Sequence, residues 1–527
     1  MPAPSRVSSA LLGLGLLAGC TVVPTDPTPS RQGELIVDAH AHAFTALHLP
    51  VSGFVAAYSG GNAQLGRFVE RLVLLQAPQD CVPEDGAFGD RPDADTCVAW
   101  IELARASSPL SDTRRRELSG DALEALGEEG FDKVWRCRME QATQPATPDV
   151  DALTDAELDQ VLDFALGDLA KPPAALARLG LDLGARTLDA VDPLDLRARL
   201  ERYVLLVWTL TRSSSTVAGC LRETYPAADL SLAAMLDMQR GFPLDQQVED
   251  MARAMEEHLG NLHAFLPFDP LRDVQTGGGS LRMVQRNLAR GFVGVKLYPP
   301  MGFRASGNAL QLSNEGPDAP RADELDASLE ALFAWCADAD VPITAHCNPT
   351  GAESAPGRGR RSHPRYWAPV LERHPNLRVN FGHFGGHDLG VPGGWSETIG
   401  DLMDEYPHVY ADIAYHDLPA DPMTLTAWRL FLVRHPIAAR RLLFGTDWPL
   451  ILQEQDGHAY LARYRALFDE QLPELVPGLL GENALRFLGL LEQTDNRRRL
   501  EAFYDDQDDG FRPSRWWPFV ERLQSSR

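Results

Sequence analysis

Residues 35–44 read LIVDAHAHAF, and this stretch decides the fold. An apolar run leads into Asp38 and then into two histidines, His40 and His42, one residue apart. Side chains on a strand alternate between its faces, so His40 and His42 project from the same one. Imidazoles that face together are metal-ligand types. Alone the pair is a weak signal, because core and surface histidines reach this spacing by chance. Partners have to come from elsewhere in the chain.

From about residue 229 onward, short apolar runs alternate with helical patterns. Counting LIVDAHAH, eight strands are expected: 35–42, 230–238, 262–268, 291–298, 341–346, 377–383, 408–413 and 440–447. The segments between them are amphipathic. Val248, Met251, Ala252 and Met255 share one helical face, and Leu325, Leu329, Leu332, Phe333 and Cys336 share another. Strands that alternate with helices build βα units and a parallel sheet, and eight units close a (β/α)8 TIM barrel. The competing doubly wound sheet would carry a GxGxxG loop after an early strand, and the chain has none.

Residues 45–225 break the rhythm. They are rich in helix formers, and Thr154 and Glu157 make a capping-box pattern. The expected fold is therefore α/β, a TIM barrel with a large, mostly helical insertion after the first strand. An alternative places the second strand inside that block, at VLLVWTL (204–210). The expected domains are a barrel of 34–44 and 226–490, an insertion of 45–225 and a C-terminal extension of 491–527. The extension carries Trp516, Trp517 and Phe519 and is expected to pack on the barrel exterior.

The apolar run from Ala10 to Ala18 is too short to span a bilayer and has the length and flanks of a signal peptide. Leu17-Ala18-Gly19-Cys20 resembles the lipobox of bacterial lipoproteins. That resemblance implies a signal peptide of 1–19, lipidation of Cys20 and a flexible tether over 20–33. The expected location is the cell envelope, held by the lipid at the periplasmic face of the outer membrane. Export brings an oxidising compartment, in which Cys81 and Cys97 are one candidate pair among the six remaining cysteines. With no CxxC present, a clustered thiolate zinc site is not expected. A net charge of −25 excludes nucleic acid as a partner, since phosphate contacts need clustered cations. Nothing in the chain speaks to oligomeric state.

In a barrel, the C-terminal strand ends converge on one opening. There the first strand offers His40 and His42, the fourth Lys296, the fifth His346, the sixth His383 and the eighth Asp447. Imidazole with carboxylate suits Zn2+ or a similar divalent ion. Each residue has a plainer role by itself, as core histidine, turn former or surface lysine. Their occurrence at the ends of separate strands makes them one site.

These features resemble the amidohydrolase superfamily of metal-dependent TIM-barrel hydrolases, in particular its amidohydrolase-related branch. The likeness rests on IVDAHAH, GVKLYPP, PITAHC, VNFGHFGG, FGTDWP and GENALRFLGL (481–490), in the family's order. It implies His40, His42, His346 and Asp447 as metal ligands. It makes His383 a ligand of a second ion or an aid to catalysis, and Lys296 a bridge between two ions if carboxylated. One or two ions are compatible with it.

The function expected is hydrolysis of an amide, lactone or other ester of a small molecule, with Asp447 as proton shuttle and His383 in support. One alternative is a metal-dependent decarboxylase of a small unsaturated or aromatic acid. An arginine for the substrate carboxylate would mark it, and Arg272, Arg304 and Arg365 are candidates by loop position. A further alternative, a non-catalytic barrel lipoprotein, requires that the ligands fail to converge. Specificity falls to the insertion and to loops 299–320 and 351–367. The cluster of Arg358, Arg360 and Arg361 is expected to face solvent.

Overall fold

All eight expected strands form, and they pair in chain order in one parallel sheet. The computed structural model describes residues 25–31, 33–45, 209, 213–238, 244–308, 322–349, 351, 357–386, 388–416, 422–454 and 456–525. The strands are β1 (Val37–Ala41), β2 (Leu230–Ala234), β3 (Leu262–Phe268), β4 (Phe292–Leu297), β5 (Ile343–His346), β6 (Val379–Gly382), β7 (Val409–Asp412) and β8 (Leu442–Leu443). Every residue of β1 to β8 is buried, as a parallel sheet covered on both faces requires.

Closure comes from backbone beyond the last ladder. Ala39 N donates to Phe444 O at 2.9 Å, and Thr446 N and Asp447 N donate to His40 O at 3.2 and 2.7 Å. The segment after β8 therefore lies along β1 and completes the circle. β8 itself is two residues, far shorter than the expected 440–447. Asp447 has a φ of 59°, so it is presented by a turn rather than by extended strand. The second strand is Leu230–Ala234, in register with β1 through Val37 and Leu230. The alternative at 204–210 is thereby set aside.

Helices cover the sheet with the faces that periodicity predicted. In α2 (Leu244–Glu257), Val248, Met251, Ala252 and Met255 are buried, and in α5 (Ala322–Asp338) so are Leu325, Leu329, Leu332, Phe333 and Cys336. Before α2 comes α1 (Ser214–Thr224), and α3 (Pro270–Gln275) and α4 (Gly279–Asn287) precede β4. α6 (Ala368–Arg373), α7 (Trp395–Glu405) and α8 (Pro422–Arg434) follow β5, β6 and β7, and α9 (Tyr460–Gln471) and α10 (Asn483–Phe487) follow β8. Most of the expected insertion lies outside the described residues, as do Cys20, Cys81 and Cys97.

The C-terminal extension forms α11 (Asp495–Gln507) and α12 (Trp517–Ser525). It docks over the end where the strands begin. Trp516 Nε1 donates to Gly260 O at 2.7 Å, Asn496 Nδ2 to Val293 O at 3.2 Å, and Arg499 to the carbonyls of Ala339 and Asp340. Trp516, Tyr504 and Val520 join Leu35, Leu230, Phe265 and Val293 in one apolar cluster. The opposite end, where the strands finish, is left for the site.

Candidate metal centre

His40, on β1, is fully buried between neighbours that lack side chains. A Cβ on Gly382, the last residue of β6, would lie 2.9 Å from His40 Cε1, and one on Gly445 would lie 2.8 Å from His40 Cβ. Real Cβ atoms do not approach so closely, so both glycines are needed to seat the ring. His42 follows two residues on, just past β1, and both histidines turn inward as the period of two requires.

The other expected residues arrive from separate strands. Lys296 lies on β4 and His346 ends β5. His383 follows β6 in a tight turn with a φ of 70°, and Asp447 follows β8 in another. All six are buried. Lys296 Nζ is 3.0 Å from His40 Nε2. Asp447 Oδ1 is 3.0 Å from His42 Nε2 and 3.7 Å from His40 Nε2. His383 Nε2 is 3.1 Å from His346 Nδ1, and the rings of His40 and His383 are 4.8 Å apart. The structure thus brings together every residue singled out for the metal site.

Hydrogen bonds fix which ring nitrogens are available. His42 Nδ1 is 2.6 Å from Ala234 O, and His383 Nδ1 is 2.8 Å from Ala414 O. A carbonyl oxygen only accepts, so each Nδ1 donates, and the Nε2 atoms face the other candidate ligands, Asp447 for His42 and His346 for His383. His40 Nδ1 faces both oxygens of Asp412, at 3.1 and 3.0 Å.

Two groups of side chains have donor atoms within 4.8 Å of one another: His40, His42 and Asp447, and His40, His383 and Asp412. Buried imidazoles with fixed tautomers and a carboxylate fit one or two divalent ions. Burial alone would raise Asp447, but the hydrogen bond from His42 and the nearby His383 and His40 hold its carboxyl below the usual range. Burial pushes Lys296 down to about 8, against the pull of Asp412 and Asp447. Burial also pushes His40 down to about 4, opposed by Asp412.

Asp38 completes the lead-in stretch. Its carboxylate accepts from Thr446 N at 3.0 Å, from Thr446 Oγ1 at 2.6 Å and from His40 N at 3.2 Å. It ties β1 to the turn that presents Asp447. Asp412 and its neighbour Asn380 escaped the sequence reading. The signal was there, since Asp412 stands at the end of the expected seventh strand, as the other candidates do on theirs.

The arginine candidates divide. Arg272 forms a two-pronged ion pair with Asp237, at 2.6 and 2.8 Å, so its charge is already matched. Arg365 is bonded to the Tyr366 hydroxyl at an exposed position. Arg304 is buried, with its guanidinium 5.1 Å from the Tyr366 ring. The expected solvent-facing cluster is corrected in part. Arg361 is buried and donates to Gly302 O, and Arg358 Nη1 donates to Met301 O at 3.3 Å. The loop after β5 therefore braces the loop after β4, because the buried carbonyls of Met301 and Gly302 need donors.

A family model described as Amidohydrolase matches residues 227–490, half of the chain. No curated protein matches it. Among solved structures, a probable 2-pyrone-4,6-dicarboxylic acid hydrolase from Acinetobacter baumannii is similar at 15% identity and a TM-score of 0.32, over 50% of this chain and 84% of that one. An uncharacterized TIM-barrel protein from Bordetella bronchiseptica gives 17% and 0.36, over 58% and 93%. The 2,6-dihydroxybenzoate decarboxylase from Rhizobium gives 19% and 0.31, over 50% and 85%.

Proposed function

The chain belongs to the amidohydrolase family and is a metal-dependent enzyme of that superfamily, and from this premise we propose that it converts a small organic acid, or an ester, lactone or amide of one. The observation that carries the proposal is the convergence of six buried ligand-type side chains from five strand ends. That convergence removes the ground for a non-catalytic barrel. His40, His42 and Asp447 would hold one ion, with His346 and His383 at the second pole. Zn2+ suits these donors. A divalent ion there lowers the pKa of a bound water and polarises a carbonyl or carboxyl group.

The chain's own groups then serve either of two reactions. In hydrolysis, the Asp447 carboxylate takes a proton from the attacking water and returns it to the leaving group. In decarboxylation, the Asp447 carboxylate would first take a proton from a water and then pass it to the carbon that keeps the electron pair of the broken bond, while the hydroxide left behind combines with the departing CO2 as bicarbonate. His383 supports charge in both.

Lys296 separates the two. As an ammonium it pairs with a substrate carboxylate and opposes a second cation. Its amine, buried 3.0 Å from His40 Nε2, supports decarboxylation of an unsaturated or aromatic acid. If the amine takes up CO2 and loses a proton, it becomes a carbamate anion able to bridge two ions. The pairing of His346 with His383, two further imidazoles for a second ion, supports this second reading, in which the enzyme is a hydrolase.

The test combines metal analysis with product analysis on the full chain, purified without chelator. One ion per chain with CO2 released from aromatic or unsaturated acids supports the decarboxylase. Two ions, a Lys296 heavier by one CO2, and acid released from lactones, esters or amides support the hydrolase. Equal metal content in the chain and in a His40→Ala/Asp447→Ala variant, after reloading, overturns both.

We also propose export as a lipoprotein through Cys20. The lipobox-like residues support it, and the disulfide at Cys220 fits an oxidising compartment. Among the described residues no helix is long and apolar enough to cross a membrane. Cys20→Ser moves the protein from the detergent phase to the aqueous phase if the lipid is the anchor, and leaves it where it was if not.

A further inference from the structure

Asp412 stands among the candidate ligands by distance alone. Its hydrogen bonds assign it another part. One oxygen accepts from His383 N at 3.0 Å and from Ala414 N at 3.1 Å. The other accepts from Asn380 Nδ2 at 2.7 Å, and His40 Nδ1 lies 3.1 and 3.0 Å from the two. A carboxylate offers about four lone-pair sites. Four donors among the described residues already use them. An ion bound directly to Asp412 would have to displace one, at the cost of leaving a buried N–H without an acceptor.

We propose that Asp412 is a positioning residue and not a ligand: it fixes His40 in the Nδ1–H tautomer and ties the end of β6 to the end of β7, so that His40 Nε2 and His383 Nε2 are presented to the ion. A second contact agrees with this tautomer. Lys296 Nζ sits 3.0 Å from His40 Nε2, where an ammonium needs an acceptor lone pair. His383 Nδ1, 2.8 Å from Ala414 O, is a second tie between the ends of β6 and β7, and Asp412 adds to it a hold on His40. Asn380 Nδ2 bonds Asp412 at 2.7 Å but lies 3.5 Å from Thr344 Oγ1. His383 sits in a left-handed turn whose amide is held by the same carboxylate. One side chain therefore orients a histidine at each pole of the centre.

The inference rests on the metal-centre reading and not on any substrate, and its test needs no turnover. Long-range 1H–15N spectra of the metal-free full chain, 15N-labelled at histidine, report the His40 tautomer, with the signal assigned by its loss in His40→Gln. An Nδ1–H His40 in the wild type is expected. An Nε2–H His40 overturns the proposal without any Asp412 variant. Asp412→Asn then tests the consequence, because an amide nitrogen at either position meets an N–H it cannot accept. Competition titration against a chromophoric chelator, with Zn2+ as the probe, should show the wild-type number of ions bound roughly 10–100-fold more weakly. Loss of one whole ion with the remaining affinity unchanged would make Asp412 a ligand. Unchanged affinity and stoichiometry would make it a bystander. Circular dichroism of the metal-free variant separates either result from unfolding, and the wild-type tautomer decides the matter if the variant does not fold.

Discussion

At the scale of single residues, the centre depends on side chains held in one protonation state or one tautomer by a specific partner. Asp447 is the plainest case. It is buried, yet ionised, because His42, His383 and His40 compensate for the lost water. In the proposed chemistry it is both ligand and proton carrier. Asp447→Asn keeps the shape but neither the charge nor the proton acceptor. We expect turnover of whichever substrate is found to fall by roughly 10²–10⁴-fold, with weaker metal retention. Steady-state kinetics beside elemental analysis checks this, and a variant within threefold of wild type would remove Asp447 from the chemistry. Much of this level was legible from residue type and strand-end position. Asp412 shared that strand-end position but was passed over, because nothing in VYADIAYH pairs it with His40 until the two are seen together.

At the scale of elements, neighbouring strands make room for the site or brace it. Gly382 of β6 has a φ of −61°, which any residue adopts, so alanine there is opposed only by space. Its Cβ would meet His40 Cε1 at 2.9 Å and Nδ1 at 3.2 Å. Gly382→Ala should push the imidazole off Asp412 and weaken Zn2+ binding at least tenfold while the far-UV spectrum stays native. Wild-type affinity in that variant would show that the ring has slack. On β3, His263 plays a purely structural part at the other end of the barrel, with Nδ1 2.7 Å from Gly291 O and Nε2 bonded to the Tyr504 hydroxyl of α11. Burial pushes it down from 6.5 to about 4. Between those values the unfolded chain takes up a proton that the folded chain refuses. The contribution is therefore complete above pH 6.5 and is lost as the pH falls towards 4. Urea midpoints of wild type and His263→Gln across that window should show the steeper acid loss in the wild type. Parallel curves would remove His263 from the linkage.

At the scale of the whole molecule, one end of the barrel is stopped and the other is functional. α11 and α12 cover the strand starts through Trp516 and Tyr504, and the buried, charge-bearing cluster lies at the strand finishes. Metal that binds only the folded chain adds stability by mass action, about 4 kcal/mol at a free concentration roughly 1,000 times the dissociation constant. Chelation should therefore lower the melting temperature, and added Zn2+ should restore it in a concentration-dependent way. A melting temperature indifferent to chelator and metal would contradict a resident ion.

Local patterning in the sequence was enough for the barrel class, the order of its strands and six strand-end residues. Periods of 2 and 3.6 are properties of a few consecutive residues, and parallel strands buried on both faces leave apolar runs that are easy to see. What the tertiary structure alone decided are matters of distance between segments far apart in the chain. β8 shrank to two residues because closure onto β1 runs through backbone bonds at 39–40 and 444–447. Arg272 was matched by Asp237, and Arg361 and Arg358 were turned onto loop carbonyls. Asp412 became the acceptor that orients His40 across a separation of 372 residues. A side chain's chemical type is written in the sequence, whereas the partner that sets its charge, tautomer and availability is fixed only when the strands close.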